Sequence, residues 1–340
     1  PGYLEALHLK IAYGLIKLIP IFVVTHVVGL GIEFYYAYKK GHGIEEGFLV
    51  SGALIPLIMP PDIPLWILAI SVAFAVWIGK EAFGGTGMNV LNIALLSRVF
   101  IFFAYPTFIS GDEVWVAGLE KVDTSYVSEA YGWGAGFFDW IFSGVGWTTF
   151  GEGGVPVVDG YSGATPLSLA FQGGWDNVTQ AYSEGALLWG TIPGSIGETS
   201  KPLIILGALF LILTGIASWR IMLSMVFGAA TMALILNAWG ATPFMEVPWY
   251  FQFYMGSFLF AMAFMATDPV TASSTSSGKW IYGFLIGFVG MIIRVMNPAY
   301  PEGWMLAILF MNVFAPLIDH YVLQANINRR MKRAKVAAAS

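Results

Sequence analysis

Long apolar runs set the limits of what this sequence can become. Read between charges and Gly or Pro breaks, they fall near 11–38, 48–58, 63–79, 88–106, 202–217, 220–237, 248–266, 280–296 and 304–322. A helix needs about 20 apolar residues to cross a bilayer, and the longer runs approach or exceed that length. Soluble domains carry about 25% charged residues; here 11% are charged and 57% are hydrophobic. The sequence therefore predicts an all-α integral membrane protein, one polytopic domain over 1–340 with about nine transmembrane or half-spanning helices. The run 48–58 is too short to span alone. Pro56, Pro60, Pro61 and Pro64 interrupt or follow it, which predicts a broken helix.

Basic residues in short loops and tails stay on the cytoplasmic side. The tail holds Arg329, Arg330, Lys332, Arg333 and Lys335. Counting back across the segments places Lys279, Arg220, Lys80, Lys39 and Lys40 on the same side, and the long stretch 107–200 outside. Between Asp112 and Glu198 there are eleven acidic residues and one basic residue, Lys121, as expected of an exported segment. The basic tail reads as a topology signal and an attraction to anionic lipid, not as a nucleic-acid site.

Two triplets of segments resemble one another. In the first, Ile55 to Pro61 ends a broken helix, Trp66 to Gly79 spans, and Gly84 to Asn89 opens the next segment. In the second, Phe264 to Pro269 ends a helix, Ile281 to Val295 spans, and Asn297 to Gly303 opens the next. By the count above they run in opposite directions. An inverted repeat of this kind would hold polar groups near the midplane; chance similarity between apolar segments is the alternative.

The absence of cysteine excludes disulfides and an iron–sulfur cluster on this chain's own thiolates. No NADH-binding fingerprint is present. In Asp159-Gly160-Tyr161-Ser162-Gly163-Ala164-Thr165-Pro166-Leu167, small residues surround one hydroxyl and Pro166 biases Thr165 toward an extended backbone. Taken alone, this reads as a surface turn. Acids in apolar segments are costly and usually face an interior pathway, which singles out Glu33, Asp268 and Asp319; for Glu33 and Asp319 an interface position near a helix end is the alternative. Asn89 and Asn92 are predicted one turn apart on one helix face, with capping and packing as the plainer role. The preceding Gly84-Gly85-Thr86-Gly87 is not a phosphate loop, since it lacks the Lys and the strand. Gly29 and Gly31 permit close approach within a helix, as ordinary packing also requires. His26 reads as a packed residue rather than a ligand, and His320 as a partner for Asp319.

The nine-residue segment around Thr165 resembles the flavinylation motif of the NqrB/RnfD family. These are membrane subunits of the sodium-translocating NADH:quinone oxidoreductase and of its relative. Gly79 to Gly87, Phe102 to Pro106, Pro193 to Glu198, Met265 to Val270 and Asn297 to Gly303 are similar to family signatures in the same order, over most of 20–325. Ser276 to Trp280 resembles NqrB more than RnfD. The resemblance implies that Thr165 carries FMN through a phosphoester made by a separate flavin transferase, with Asp159, Ser162 and Gly163 around it. It implies a non-covalent riboflavin near Asn89, Asn92, Gly84 and Gly85, a quinone region on the helix of Gly29 and Gly31, and a sodium pathway through Glu33, Asp268 and Asp319. Carboxylates and freed carbonyls are the hard oxygen ligands sodium needs. Electrons would arrive from partner subunits in a bacterial inner-membrane complex. Against the family pattern, an N-terminal arm and first span are expected to be missing, and residues about 113–157 read as an insertion. Two other readings stay open: an RnfD-type subunit of an ion-translocating ferredoxin:NAD oxidoreductase, and a non-redox inverted-repeat transporter, which broken helices and intramembrane acids suit equally.

Overall fold

A computed structural model describes residues 7–41, 43, 47–111, 113–116, 164–297 and 303–339, and every regular element among them is helical. Helix α1 (Leu7–Lys40) shows why so apolar a chain still folds in one way. Its buried residues are Ile21, Thr25, Gly29, Glu33 and Ala37, one every fourth position, so a single stripe packs inward while Val23, Val27 and Phe34 stay exposed. That stripe meets α2 (Gly47–Leu57) and α3 (Leu65–Gly79). Where it passes α2, the ring of Phe48 fills the space a side chain at Gly29 would need.

Among the described residues, five helical stretches are long and apolar enough to cross a membrane: Gly14–Lys40, Leu65–Phe83, Trp219–Trp239, Ser276–Met296 and Trp304–Val336. Three apolar helices are shorter, namely α2, α4 (Ile93–Ala104) and α7 (Lys201–Leu213). At 1.5 Å per residue, α7 covers about 20 Å, short of a bilayer's apolar thickness of about 30 Å. The tightest helix pair is α8 (Trp219–Trp239) with α10 (Ser276–Met296). Gly228 on α8 lies against the Phe284 carbonyl, and Gly283 and Gly287 on α10 lie against the carbonyls of Ile221 and Met225. Lipid gives helices little hydrophobic reason to associate, so backbone approach through small residues supplies the contact.

Two interruptions shape the interior. Helix α2 stops at Leu57 just after Pro56, and the freed carbonyls find partners: Leu57 accepts from Gly197 N–H at 2.7 Å and Ile58 from Arg98 Nη1 at 2.5 Å. The run 248–266 is not one continuous helix. It passes through a 3₁₀ turn (Phe251–Phe253), a short α9 (Phe258–Phe260) and a π turn (Ala261–Met265). Pro248 at the start, Gly256 at φ 64° and Pro269 at the end account for the break. Helix α11 (Trp304–Ala339) follows α10. A broken helix is followed by a span in α2–α3 and again in α9–α10.

Among the described residues between α4 and α7 lie two α-helices that hydropathy does not predict, α5 (Pro166–Ala181) and α6 (Glu184–Trp189). Helix α5 is two short helices meeting at Gly173 and Gly174, the latter at φ 71° and ψ −157°. Sixteen residues in a straight helix would extend about 24 Å. Tyr182 beyond its end nevertheless donates its hydroxyl to the Ala164 carbonyl before its start, at 2.7 Å, so the element doubles back on itself. Gly174 rests on Pro243, whose carbonyl oxygen would lie 3.0 Å from an added Cβ, and Trp175 stacks on Phe251 at 3.8 Å.

Candidate functional site

The Thr165-Pro166 pair opens α5 with N-cap chemistry. Thr165 is extended (φ −71°, ψ 152°), its Oγ1 accepts from Ser168 N–H at 3.2 Å, and Pro166 takes the first helical position, where no N–H is needed. The hydroxyl proton of Thr165 makes no hydrogen bond among the described residues. The residue is half-buried and lines a cavity of about 660 Å³, shared with Phe102, Phe103 and Phe171 and with the charged Arg98, Glu198 and Lys201. A cavity of that size is in the range of small-molecule sites.

All three charged groups are buried: Arg98 is 4% exposed, Glu198 5% and Lys201 0%. Each is anchored by main chain or hydroxyl. Arg98 donates to the Ile58 carbonyl and lies over the Trp115 ring at 5.3 Å. Lys201 Nζ donates to the Glu198 carbonyl at 2.7 Å, and the Glu198 carboxylate accepts from Ser195 Oγ at 2.7 Å. The cavity fits FMN on its own terms, with a hydroxyl whose proton makes no hydrogen bond among the described residues, for a phosphoester, aromatic walls for a flat ring system, and cations for its negative charge.

A second constellation joins the two broken regions. Asn92 caps α4 through Leu95 N–H at 3.1 Å and donates its amide to Asp268 Oδ2 at 3.3 Å. Asp268 also accepts from Thr271 Oγ1 at 2.9 Å and Val270 N–H at 3.1 Å. The Asn312 amide, oriented to satisfy its neighbours, accepts from the Asn92 N–H at 3.1 Å and donates to Tyr282 Oη at 2.6 Å. This corrects the expectation for Asn89 and Asn92. Helix α4 begins at Ile93, so the two do not share a helix face; Asn89 instead donates to Leu91 O in the preceding turn, at 3.1 Å. Gly84, Gly85 and Gly87 take φ of 124°, 106° and 87°, which unwinds the chain ahead of α4.

The three acids singled out by the sequence are not gathered. Glu33 pairs with the Lys80 ammonium, their side chains 6% and 4% exposed. Asp319 accepts from Ser273 Oγ, Ser274 N–H and Oγ, and Thr275 N–H and Oγ1, which tie α11 to the entry of α10. His320 is not its partner, for its ring packs beside Tyr321. Among the described residues, no group of three or more acids and histidines is arranged to hold a metal ion. His26 is packed between Phe22 and Phe48 and bonded to the Phe22 carbonyl. Gly29 is buried under Phe48, whereas Gly31 faces open space. Asp159, Ser162 and Gly163 lie outside the described residues, as do 117–157 of the expected insertion and 298–302. Sequence reasoning missed Arg98, Lys201 and the pairing role of Lys80. The signal was the rule that charge inside apolar sequence is functional, applied to acids but not to bases.

Fold and site together define a multi-pass helical membrane protein with interrupted helices and a charged, aromatic-walled cavity beside the hydroxyl of an N-cap threonine. A model of the NQR2, RnfD, RnfE family matches residues 3–328. The B subunit of the Na(+)-translocating NADH-quinone reductase of Chromohalobacter salexigens is 48% identical over 322 residues, covering 94% of this chain and 69% of that protein. The proteins of the same name from Ectopseudomonas mendocina and Pseudomonas aeruginosa are 46% and 44% identical, each over 94% of this chain and 70% of theirs. The chain belongs to the NQR2, RnfD, RnfE family.

Proposed function

We propose that this chain is the B subunit of a bacterial sodium-translocating NADH:quinone reductase, carrying FMN covalently on Thr165 and passing electrons toward quinone in step with sodium movement. The observation that carries this reading is the Thr165 hydroxyl, held by the Ser168 N–H and lining the cavity with Arg98, Lys201 and three phenylalanines. When bound, FMN supplies the one- and two-electron chemistry that no side chain here offers. The chain's own residues do the rest. Thr165 contributes the ester oxygen, Phe102, Phe103 and Phe171 exclude water from the ring, and Arg98 and Lys201 balance its charge.

In this reading the side bearing Thr165 is extracytoplasmic, where a flavin transferase works, and the basic end of α11 is cytoplasmic. Electrons arrive from other subunits of the complex, so the isolated chain does not oxidise NADH. Riboflavin is assigned to the unwound turn at Gly84 and Gly85 with Asn89, because positive-φ glycines allow a ring to approach the backbone. Asn92 is assigned to holding the two broken regions together instead. Asp268, beside the π turn, is the strongest of the three acids for sodium. Glu33 would have to release Lys80 first, and Asp319 its five donors. For quinone, the open side of α1 at Gly31 offers access that Gly29 does not.

The test is mass spectrometry of the peptide containing 159–167, from cells expressing the flavin transferase. The parent should carry the added mass of FMN. Thr165→Asn keeps an N-cap acceptor and removes the hydroxyl, so it should fold and carry none. An unmodified parent peptide overturns the assignment.

A further inference from the structure

The cavity beside Thr165 holds two buried cations against one buried carboxylate. Lys201 and Glu198 are close in sequence but form no ion pair, because the ammonium is turned to the Glu198 main-chain carbonyl and the carboxylate to Ser195. Glu198 and Arg294 both act on Lys201 through space, but without a contact carboxylate the ammonium is only partly offset, and in a site shielded from water its field reaches farther than at a surface. Arg98 is fixed in the same wall by the Ile58 carbonyl. We infer that Lys201 and Glu198 set the reduction potential of the flavin at Thr165, the lysine raising it and the glutamate lowering it. This rests on the flavin reading above and deepens it.

The charge balance gives the sign. Reduction by two electrons with uptake of one proton leaves the isoalloxazine ring with one negative charge more than the oxidised ring. A fixed positive charge beside it favours that product and a fixed negative charge disfavours it, as neighbouring charges do for any group that changes charge. Both side chains act through space and neither touches the reacting atoms by necessity. The pair therefore forms a two-way control, one residue for each direction. Its position at the entry of α7 ties it to rigid structure, since Lys201 is the first residue of that helix.

The experiment is a mediated spectroelectrochemical titration of the full chain, purified from cells with the flavin transferase. Thr165→Asn serves as the reference whose spectrum is subtracted. Lys201→Met should lower the equilibrium constant for reduction of the Thr165-dependent flavin about tenfold, a shift of about −30 mV for a two-electron couple. Glu198→Gln should move it the opposite way, and Gln keeps an oxygen for Ser195. Opposite signs separate an electrostatic role from loosened packing, which would move both variants alike. If Lys201→Met does not fold, Glu198→Gln decides alone: an upward shift supports the inference, and no shift or a downward one overturns it. No Thr165-dependent flavin in the parent would overturn the flavin reading itself. A parent flavin whose potential ignores both substitutions overturns only this inference.

Discussion

The Glu33–Lys80 pair yields the sharpest energetic prediction. Both side chains are almost fully buried, at 6% and 4% exposed, so removing either partner strands the other charge away from water. Breaking a buried pair in this way costs about 3–5 kcal/mol, whereas replacing both partners with apolar groups of similar size is often near neutral. Glu33→Gln and Lys80→Met should therefore each destabilise by about 3–5 kcal/mol, and the double variant Glu33→Met with Lys80→Met by much less than the sum. The neighbouring pair Lys40–Glu81 is an internal control. It joins the same two regions at 3.2 Å, but the Lys40 side chain is 36% exposed. Water reaches the Lys40 end of this pair and can take over part of its role toward Glu81, whose side chain is only 4% exposed, so Lys40→Ala should cost less than Lys80→Met. Reversible unfolding in mixed detergent micelles, followed by tryptophan fluorescence, measures all of these. Additive single effects below about 1 kcal/mol at Glu33 and Lys80 would refute the buried-pair argument and return Glu33 to an interface acid. The same samples test sodium, since a cation that displaced Lys80 would stabilise the parent increasingly, with the logarithm of sodium concentration, and leave Glu33→Gln unmoved.

Three more expectations follow from the contacts described above. Gly287→Leu should prevent α8 and α10 from closing, since even a Cβ meets the Met225 carbonyl; overpacking of this kind costs at least about 1–3 kcal/mol, and size-exclusion chromatography in detergent should show aggregation, while a monodisperse variant would contradict the packing. Asp268→Asn in the assembled complex should weaken sodium activation of quinone reduction and leave covalent flavin on Thr165, and an unchanged sodium dependence removes Asp268 from the pathway. Asn89→Leu should release riboflavin without affecting the α4 cap, as judged by free flavin after denaturant extraction; equal release from parent and variant would show that Asn89 does not contact it.

The spans were legible because each is a long apolar run bounded by charges or by Gly and Pro breaks, and that signal survives whatever the helices pack against. The broken helix at 48–58 was legible too, because Pro56 acts through local sterics. The interruption over 248–266 was not. Pro248, Gly256 and Pro269 mark its ends and middle, but Phe258 to Met265 between them is apolar throughout, and the π turn there packs against α7, α8 and α11. Helix α5 was missed for the opposite reason. Its polar composition hid it from a hydropathy reading, although Thr165-Pro166 is a helix start signal in plain view. At the sites, the residue types were readable and their pairings were not. Nothing near Asn92 in sequence points to Asp268, 176 residues away. Likewise the spacing of Asn89 and Asn92 fits one helix face only if the helix already exists at Asn89, and three glycines at positive φ prevent that.

The doubling back of α5 has a mechanical consequence. A residue at the tip of a long loop swings, but Thr165 sits where the chain is pinned at three places: Tyr182 on Ala164, Gly174 on Pro243, and Trp175 on Phe251. Two of those anchors lie between α8 and α9, on the far side of the sequence from α4. A group carried on Thr165 is therefore a stationary relay and not a shuttling arm. Under the proposed function, its distance to the next electron carrier would be set by the membrane helices, and gating of electron flow would come from a partner moving toward it.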